Sequence, residues 1–337
     1  MTNLKKTNVV IDSSWKEFGG IGRFTEEISK RLILSRELLF SRTPASPIAT
    51  LHNMFSSYLN TKSNEILFFT GYIPPLSCNN KYIVTLHDLN HLDIESNATL
   101  LKTIFYNTVI KSGCKRAYRV FTVSEFSKNR IIEWAKLKED MVINIGNGVD
   151  EKFSPDVDAY NPGYKYILCV SNRKAHKNET RLIEAFSKAS FDEDVKLAFS
   201  GNPNSELQHL IDELGVQEKV TFLGYVQEDE LPSVYKGAVA LAFPSLYEGF
   251  GLPVVEAMAC GTPVLTSNVT SLPEVAGDAA YLVDPYSIDE IKDGLEVVVN
   301  DSSFREQAIE KGLRQASKFT WEAVVDRIQG QIEKLSG

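Results

Sequence analysis

The sequence predicts an α/β protein built from two Rossmann-like, doubly wound domains that face each other across a cleft. Three observations predict it. Short runs rich in β-branched and aromatic residues recur along all 337 residues, separated by amphipathic stretches. These runs are apolar throughout instead of alternating, the pattern of strands covered on both faces of a parallel sheet. The series breaks once near its middle, and two βα series in a row make two such domains.

In the first half the strand candidates are 8–12, 65–70, 82–86, 119–123 and 142–146, with helical spacing in "RFTEEISKRLI" (23–33) and "SKNRIIEWAKL" (127–137). The break falls at "GNGVDEKFSPDVDAYNPGYK" (146–165), where glycine, asparagine, proline and aspartate cluster and no period continues. Beyond it come strand candidates 166–171, 196–200, 220–224, 239–243, 263–266 and 280–283. Helical patterns "ETRLIEAFSKA" (179–189) and "SELQHLIDEL" (205–214) lie between them, and "FTWEAVVDRIQGQIEKL" (319–335) reads as one last amphipathic helix. The expected division is 1–150, 151–318 and a tail, 319–337, whose helix can cross back to the first domain. No internal repeat or low-complexity tract interrupts this order. Ligands of open α/β sheets bind at the carboxyl ends of the strands, so the loops there are where function is sought.

Composition narrows the classes. An apolar fraction of 43% and a charged fraction of 24% suit a folded globular protein. No 18-residue apolar run is long enough to span a bilayer, and the first twenty residues lack the apolar core and cleavage site of a secretion signal. Four scattered cysteines, Cys78, Cys114, Cys169 and Cys260, have no metal-ligand spacing and read as reduced thiols of a cytoplasmic protein. Residues 1–150 carry a net +5 and the remainder −13, an overall acidity that argues against bulk nucleic-acid binding. The segment 98–120 nevertheless holds five Lys/Arg and no acid. It reads either as a solvated basic helix face or as a surface meeting anionic lipid head groups.

Four segments are able to carry chemistry. In "EGFGLPVVE" (248–256) a turn follows a buried strand, and Pro253 suits the first helical position. The first amides of that helix, Val254 and Val255 among them, are expected to be free and to attract phosphate. Gly249 and Gly251 allow close backbone approach to a ligand. Glu248 and Glu256 then bracket the phosphate position, one to accept hydrogen bonds from a sugar and the other from a ribose; equally, they read as a loop acid and a helix-dipole acid. "FGGIGRF" (18–24) is a glycine-rich strand-to-helix turn suited to a diphosphate, but it fails as a dinucleotide fingerprint because Thr25 stands at the last glycine. In "VSNRKAHKNETRLIEAF" (170–186), Arg173, Lys174, His176 and Lys177 cluster at a strand's end, where cations stabilise a leaving diphosphate. His87 in "IVTLHDLNH" (83–91) follows a buried strand of the other domain. "DVD" (156–158) and "DED" (192–194) follow no strand of a nucleotide-binding unit and read as solvated acids, so no metal is expected.

Together these segments resemble the retaining glycosyltransferases of family 4, which have the two-domain GT-B fold. "FPSLYEGFGLPVVEAMACGTPVLTSNVTSLPEVAGDAAYLVDP" (243–285) is similar to that family's most diagnostic stretch, with its E-x7-E element at Glu248 and Glu256. "GGIGR", "HDL", "VSEFSK", "NGVD", "HKN" and "FLGYV" occur in the family's order, so the likeness covers nearly the whole chain and is weakest at 34–64. The resemblance implies that Glu248 contacts the donor sugar, Glu256 the ribose and Lys177 the diphosphate. It implies backbone room at Gly19 and Gly20, His87 beside the transferred sugar, and Gly224–Tyr225 near the base. The resemblance also implies that Gly249, Phe250, Gly251 and Leu252 line the donor, and that Glu248, His87 and Lys177 form the catalytic set. Many relatives carry a phosphate-binding arginine where this chain has Asn172, leaving Arg173 next door to substitute for it.

The implied reaction is front-face transfer with retention, needing no cofactor and no metal. The expected donor is a nucleoside-diphosphate sugar, GDP-mannose first, and the acceptor a glycan or a lipid-diphosphate-linked glycan of polysaccharide or O-antigen assembly. The expected location is cytoplasmic, peripheral at the inner face of the plasma membrane through 98–120. Two rivals stay open: a nucleotide-sugar epimerase of the same fold, and a non-catalytic nucleotide-sugar-binding partner subunit.

Overall fold

The computed structural model describes residues 8–33, 36–94 and 98–336. Two units divide the chain: Met1–Gly148 with Thr320–Gly337, and Val149–Phe319.

The first unit is a six-stranded sheet of β1 (Val9–Asp12), β2 (Arg36–Leu38), β3 (Ile66–Phe69), β4 (Tyr82–Thr85), β5 (Arg119–Thr122) and β6 (Val142–Asn144) in the order β2-β1-β3-β4-β5-β6. Every pairing is parallel. Its helices are α1 (Gly19–Arg31), α2 (Ala49–Asn60), α3 (Asn90–Asp93), α4 (Leu100–Phe105), α5 (Lys111–Arg116) and α6 (Glu125–Ala135). A π-helical turn at Tyr106–Ile110 joins α4 to α5. Alternate strand residues face opposite ways, and two cores result. Val10, Leu67, Phe69, Val84 and Val120 pack with Tyr106, Ile110, Cys114 and Ile131. Val9, Ile11, Phe68, Ile83 and Phe121 pack with Phe24 and Ile28 of α1 and with Val324, Ile328 and Ile332 of the last helix.

The second unit holds β7 (Lys165–Cys169), β8 (Val195–Phe199), β9 (Val220–Phe222), β10 (Ala240–Phe243), β11 (Val264–Ser267) and β12 (Ala280–Val283), again wholly parallel, in the order β12-β11-β10-β7-β8-β9. The order reverses at β7, so the loops after β7 and β10 part there and leave the crevice in which such sheets bind ligands. Its helices are α7 (Glu179–Lys188), α8 (Ser205–Leu214), α9 (Leu231–Gly237), α10 (Leu252–Ala259), α11 (Leu272–Ala276), α12 (Ile288–Asn300) and α13 (Ser302–Ala316). Trp321–Ser336 forms α14, begun by Thr320, whose hydroxyl accepts from the Ala323 amide.

The sequence expectations did not name β2, α2, α3, α9, α11, α12 or α13, and the first two have a physical reason. The strand β2 is three residues, Arg-Glu-Leu, paired only with β1 at the sheet's edge. Helix α2 has no charged residue, and its polar Thr50, Asn53 and Ser57 are buried, so no charged outer face marks it. The glycine-rich turn also lies differently: α1 begins at Gly19, so the pair Gly19–Gly20 forms its first turn.

Candidate functional site

The loops that follow β7, β10 and β11 are tied into one body. The chain leaves β7 through a 3₁₀ turn at Ala175–Lys177 and enters α7 at Asn178, which takes a left-handed conformation (φ 61°). Asn178 is buried, and its Nδ2 donates to the carbonyls of Pro244 (2.9 Å) and Pro285 (2.7 Å). The Leu246 amide donates to the His176 carbonyl (2.7 Å). From the other side, Thr266 and Ser267 hydroxyls donate to the carbonyls of Phe243 and Ser245, and Ser271 Oγ donates to those of Glu248 and Phe250.

This scaffold brings Lys177 and Glu248 together across 71 residues, Nζ to Oε1 at 2.6 Å. Both side chains are about one-seventh exposed, 13% and 14%. The ammonium also lies 4.7 Å from the Phe243 ring centroid. A cation sharing its charge between a carboxylate and a ring face still has donors to offer a phosphate. Thr270, which accepts from the Glu248 amide (3.3 Å), has φ 60°, an uncommon conformation for a β-branched residue. Strain of this kind concentrates at functional sites. Thr270, Ser271 and Asn178 are site residues that spacing did not single out; their signal was their place in strand-end loops.

The turn 248–252 opens α10. Gly251 has φ 108°, and a Cβ there would meet Leu272 Cδ2 at 2.7 Å, so both conformation and space demand glycine. Phe250 is buried, 5.4 Å edge-to-face from Phe319. Val254 corrects one expectation: its amide donates to Gly251 O (3.0 Å), so it is not free. Glu256 lies under the surface, 4% exposed, and accepts from the Tyr235 hydroxyl at 2.9 Å.

The basic loop is also corrected in part. His176 is buried, and burial pushes its pKa down to about 4, so it is neutral at pH 7 and no cation. Arg173 (φ 63°) turns inward: its guanidinium pairs with Glu179, donates to the carbonyls of Ser200 and Asn202, and lies over the rings of Phe199 and Phe222. Three of its five N–H donors are engaged in this way. The loop after β9 carries Gly224 (φ 69°) and an exposed Tyr225.

In the other unit Gly19 (φ 51°) and Gly20 stand at the carboxyl end of β1, with nothing within 4 Å of where a Cβ would be on either. His87 follows β4, half-buried, 5.0 Å edge-to-face from Phe24. Its Nε2 lies 3.0 Å from the Thr70 carbonyl, which only accepts and so assigns the ring proton to Nε2. Burial pushes its pKa down to about 4. The neutral ring therefore keeps its Nδ1 lone pair as an acceptor. Asp12 at the end of β1 is buried and raised to about 6 by that burial, against hydrogen bonds from Ser14 that lower it. Among the described residues no cluster of three His, Cys, Asp or Glu is placed to hold a metal ion, and all four cysteines are free.

Two wholly parallel sheets, with this polar site at the switch point of one, place the chain among the doubly wound α/β proteins. Comparison with known proteins resolves the class further. The model of the family "Glycosyl transferases group 1" matches residues 150–315. The O-antigen chain mannosyltransferase B of Escherichia coli is 31% identical over 255 residues, covering 71% of this chain and 67% of that protein. A serotype-specific mannosyltransferase of Escherichia coli is 30% identical over 224 residues, 61% of this chain but only 28% of its own length. Among solved structures, sucrose-phosphate synthase from Thermosynechococcus elongatus superposes with a TM-score of 0.79 at 16% identity, over 98% of this chain and 99% of that one. The chain belongs to the group 1 glycosyltransferases and has their GT-B fold.

Proposed function

We propose that this chain transfers a hexose, with retention, from a nucleoside-diphosphate sugar to a glycan acceptor in O-antigen or related surface-polysaccharide assembly. The observation that carries the reading is the Lys177–Glu248 pair. A sugar-reading carboxylate and a phosphate-reading ammonium 2.6 Å apart mark the junction between sugar and diphosphate, the bond that transfer must break. Lys177 stabilises the departing nucleoside diphosphate as its charge grows, and the chemistry rests on positioning and electrostatics with no metal required. Glu248 and the turn Gly249–Leu252 hold the donor sugar. Glu256, held by Tyr235, takes the ribose hydroxyls once the donor opens access to it, and Tyr225 flanks the base. Arg173 acts through the loop it pins, with two N–H donors left for the diphosphate. His87 accepts a hydrogen bond from a sugar hydroxyl, and Gly19 and Gly20 leave room for ligand.

The mannosyltransferase names among the relatives favour mannose, hence GDP-mannose as donor. The acceptor is a glycan carried on a lipid diphosphate, met in the cytoplasm at the inner face of the plasma membrane, with 98–120 as the basic contact.

The test is thermal unfolding with GDP, UDP, ADP and their sugar conjugates in EDTA, followed by transfer assays with the stabilising donor. A ligand at about 100 times its Kd adds about 2.7 kcal/mol, a measurable midpoint shift. Stabilisation by the guanosine ligands alone supports the reading, and stabilisation by uridine ligands replaces the donor. Stabilisation without transfer favours the partner-subunit reading, and no stabilisation by any of them overturns nucleotide-sugar binding itself.

A further inference from the structure

Helix α2, which the sequence did not announce, places its apolar side chains outward. Ile48, just before it, and Leu51, Phe55, Tyr58 and Leu59 along it are all exposed, Leu59 to 79%. Their spacing of three, four, three and one is that of one helical face. The opposite face, with Ala49, Thr50, Asn53 and Ser57, is buried. The α4–α5 helix shows the same inversion. Tyr106, Ile110, Gly113 and Cys114 form its buried stripe, yet Leu100, Leu101 and Ile104 stand in solvent, Leu101 to 80%. Toward its other end the same helix carries Lys111, Lys115 and Arg116.

These two surfaces belong together. Ala49 of α2 and Tyr106, Ile110 and Cys114 of the α4–α5 helix pack into the same core, so both helices cover one face of the sheet. The segment 74–76 joins them: the Leu76 amide donates to Thr50 O, Arg116 donates to the Pro75 and Leu76 carbonyls, and Leu76 itself is exposed. The combined surface is free of acid over long stretches. Residues 38–64 and 98–118 contain none, against Arg42, Lys62, Lys102, Lys111, Lys115 and Arg116.

We infer that unit 1 docks on an anionic bilayer through both elements, α2 inserting its apolar face and α4 its Leu100, Leu101 and Ile104 while the lysines of α5 meet lipid phosphates. Apolar side chains clustered within a cationic surface bind the interface by area buried plus attraction to anionic head groups. A second copy of this chain is the poorer occupant, because it would set cation against cation. The inference rests on the lipid-linked acceptor above only for its purpose; docking is read without donor or acceptor.

The experiment is co-sedimentation of the full chain with vesicles of phosphatidylcholine alone and with about 30 mol% phosphatidylglycerol. Expected are binding to the anionic vesicles only, weakening in high salt, and roughly tenfold losses for Phe55→Asp/Leu59→Asp and, separately, for Leu101→Asp/Ile104→Asp. Circular dichroism and the nucleotide-induced midpoint shift should be unchanged in both variants, which separates this test from that of the donor site. Binding to neither vesicle overturns the inference. So do binding that ignores the α2 variant, equal binding to both vesicles, or concentration-dependent self-association abolished by the same substitutions.

Discussion

The two units share strand number and parallel order, yet they invest their strand-end loops and surfaces differently. Unit 2 carries 15 Lys/Arg against 28 Asp/Glu, and its loops are cross-tied by buried side chains, Asn178, Thr266, Ser267 and Ser271, acting on backbone carbonyls. Unit 1 carries 21 Lys/Arg against 16 Asp/Glu. It holds twelve of the sixteen large apolar side chains that are exposed among the described residues. The same sheet architecture thus carries a cross-tied polar site in one unit and an outward-facing apolar surface in the other. Fold alone does not assign function; the loops and faces grafted on it do.

The largest expected effect lies in unit 2. Glu248→Ala should lower transfer at least about 100-fold, while the midpoint shift given by the nucleoside diphosphate survives. Lys177→Ala should lower both. Equal, small losses for the two would dissolve the contrast between sugar-reading and phosphate-reading groups.

Unit 1 offers a matched pair of glycines. Gly71→Ala would place a Cβ 2.2 Å from the Trp15 indole and should cost about 1–3 kcal/mol in denaturant unfolding. Gly20→Ala meets nothing within 4 Å and should leave stability within about 0.5 kcal/mol. A fall in donor affinity for Gly20→Ala alone would then assign that space to ligand.

A smaller effect is expected at Tyr235. Phenylalanine there removes the hydroxyl that Glu256 accepts from, costing about 1 kcal/mol of stability. The same change should weaken nucleotide binding a few-fold, by isothermal titration, if Glu256 holds the ribose.

The pH dependence sharpens the comparison last. His87 and His176, one in each unit, have folded pKa values near 4 against 6.5 unfolded. The unfolded chain therefore takes up protons first, and stability is lost as pH falls from about 6.5 to 4. Asp12, raised from 3.8 to about 6, works oppositely, because its folded form binds the proton first and gains stability as pH falls through that window. Asp12→Asn should steepen the acid loss and His176→Gln should flatten it, measured as denaturant stability between pH 4 and 7.

Much of this was legible in the sequence, for physical reasons that also set the limit. Eleven of the strands announce themselves as apolar runs, the eight inner ones because burial on both faces demands it. The edge strand Arg36–Leu38, three residues that include an arginine and a glutamate, makes no such run. Pro253 and Gly261 mark the ends of α10 because ring and φ restrict them locally. The inward turn of Arg173, the burial of His176 and the Lys177–Glu248 contact depend on what stands opposite in space, which spacing does not encode. Helix α2 escaped for the reverse reason: its apolar side chains face outward, while Thr50, Asn53 and Ser57 are buried.

The double bond of Asn178 to Pro244 and Pro285 has a consequence for motion. Both hydrogens of one amide nitrogen restrain two loops, so neither loop can swing away without freeing a donor that is otherwise buried. Opening should therefore be a single event, with the amides around 176, 246 and 286 exchanging their hydrogens with deuterium at one common rate. Loosening that one side chain would let each loop exchange at its own pace.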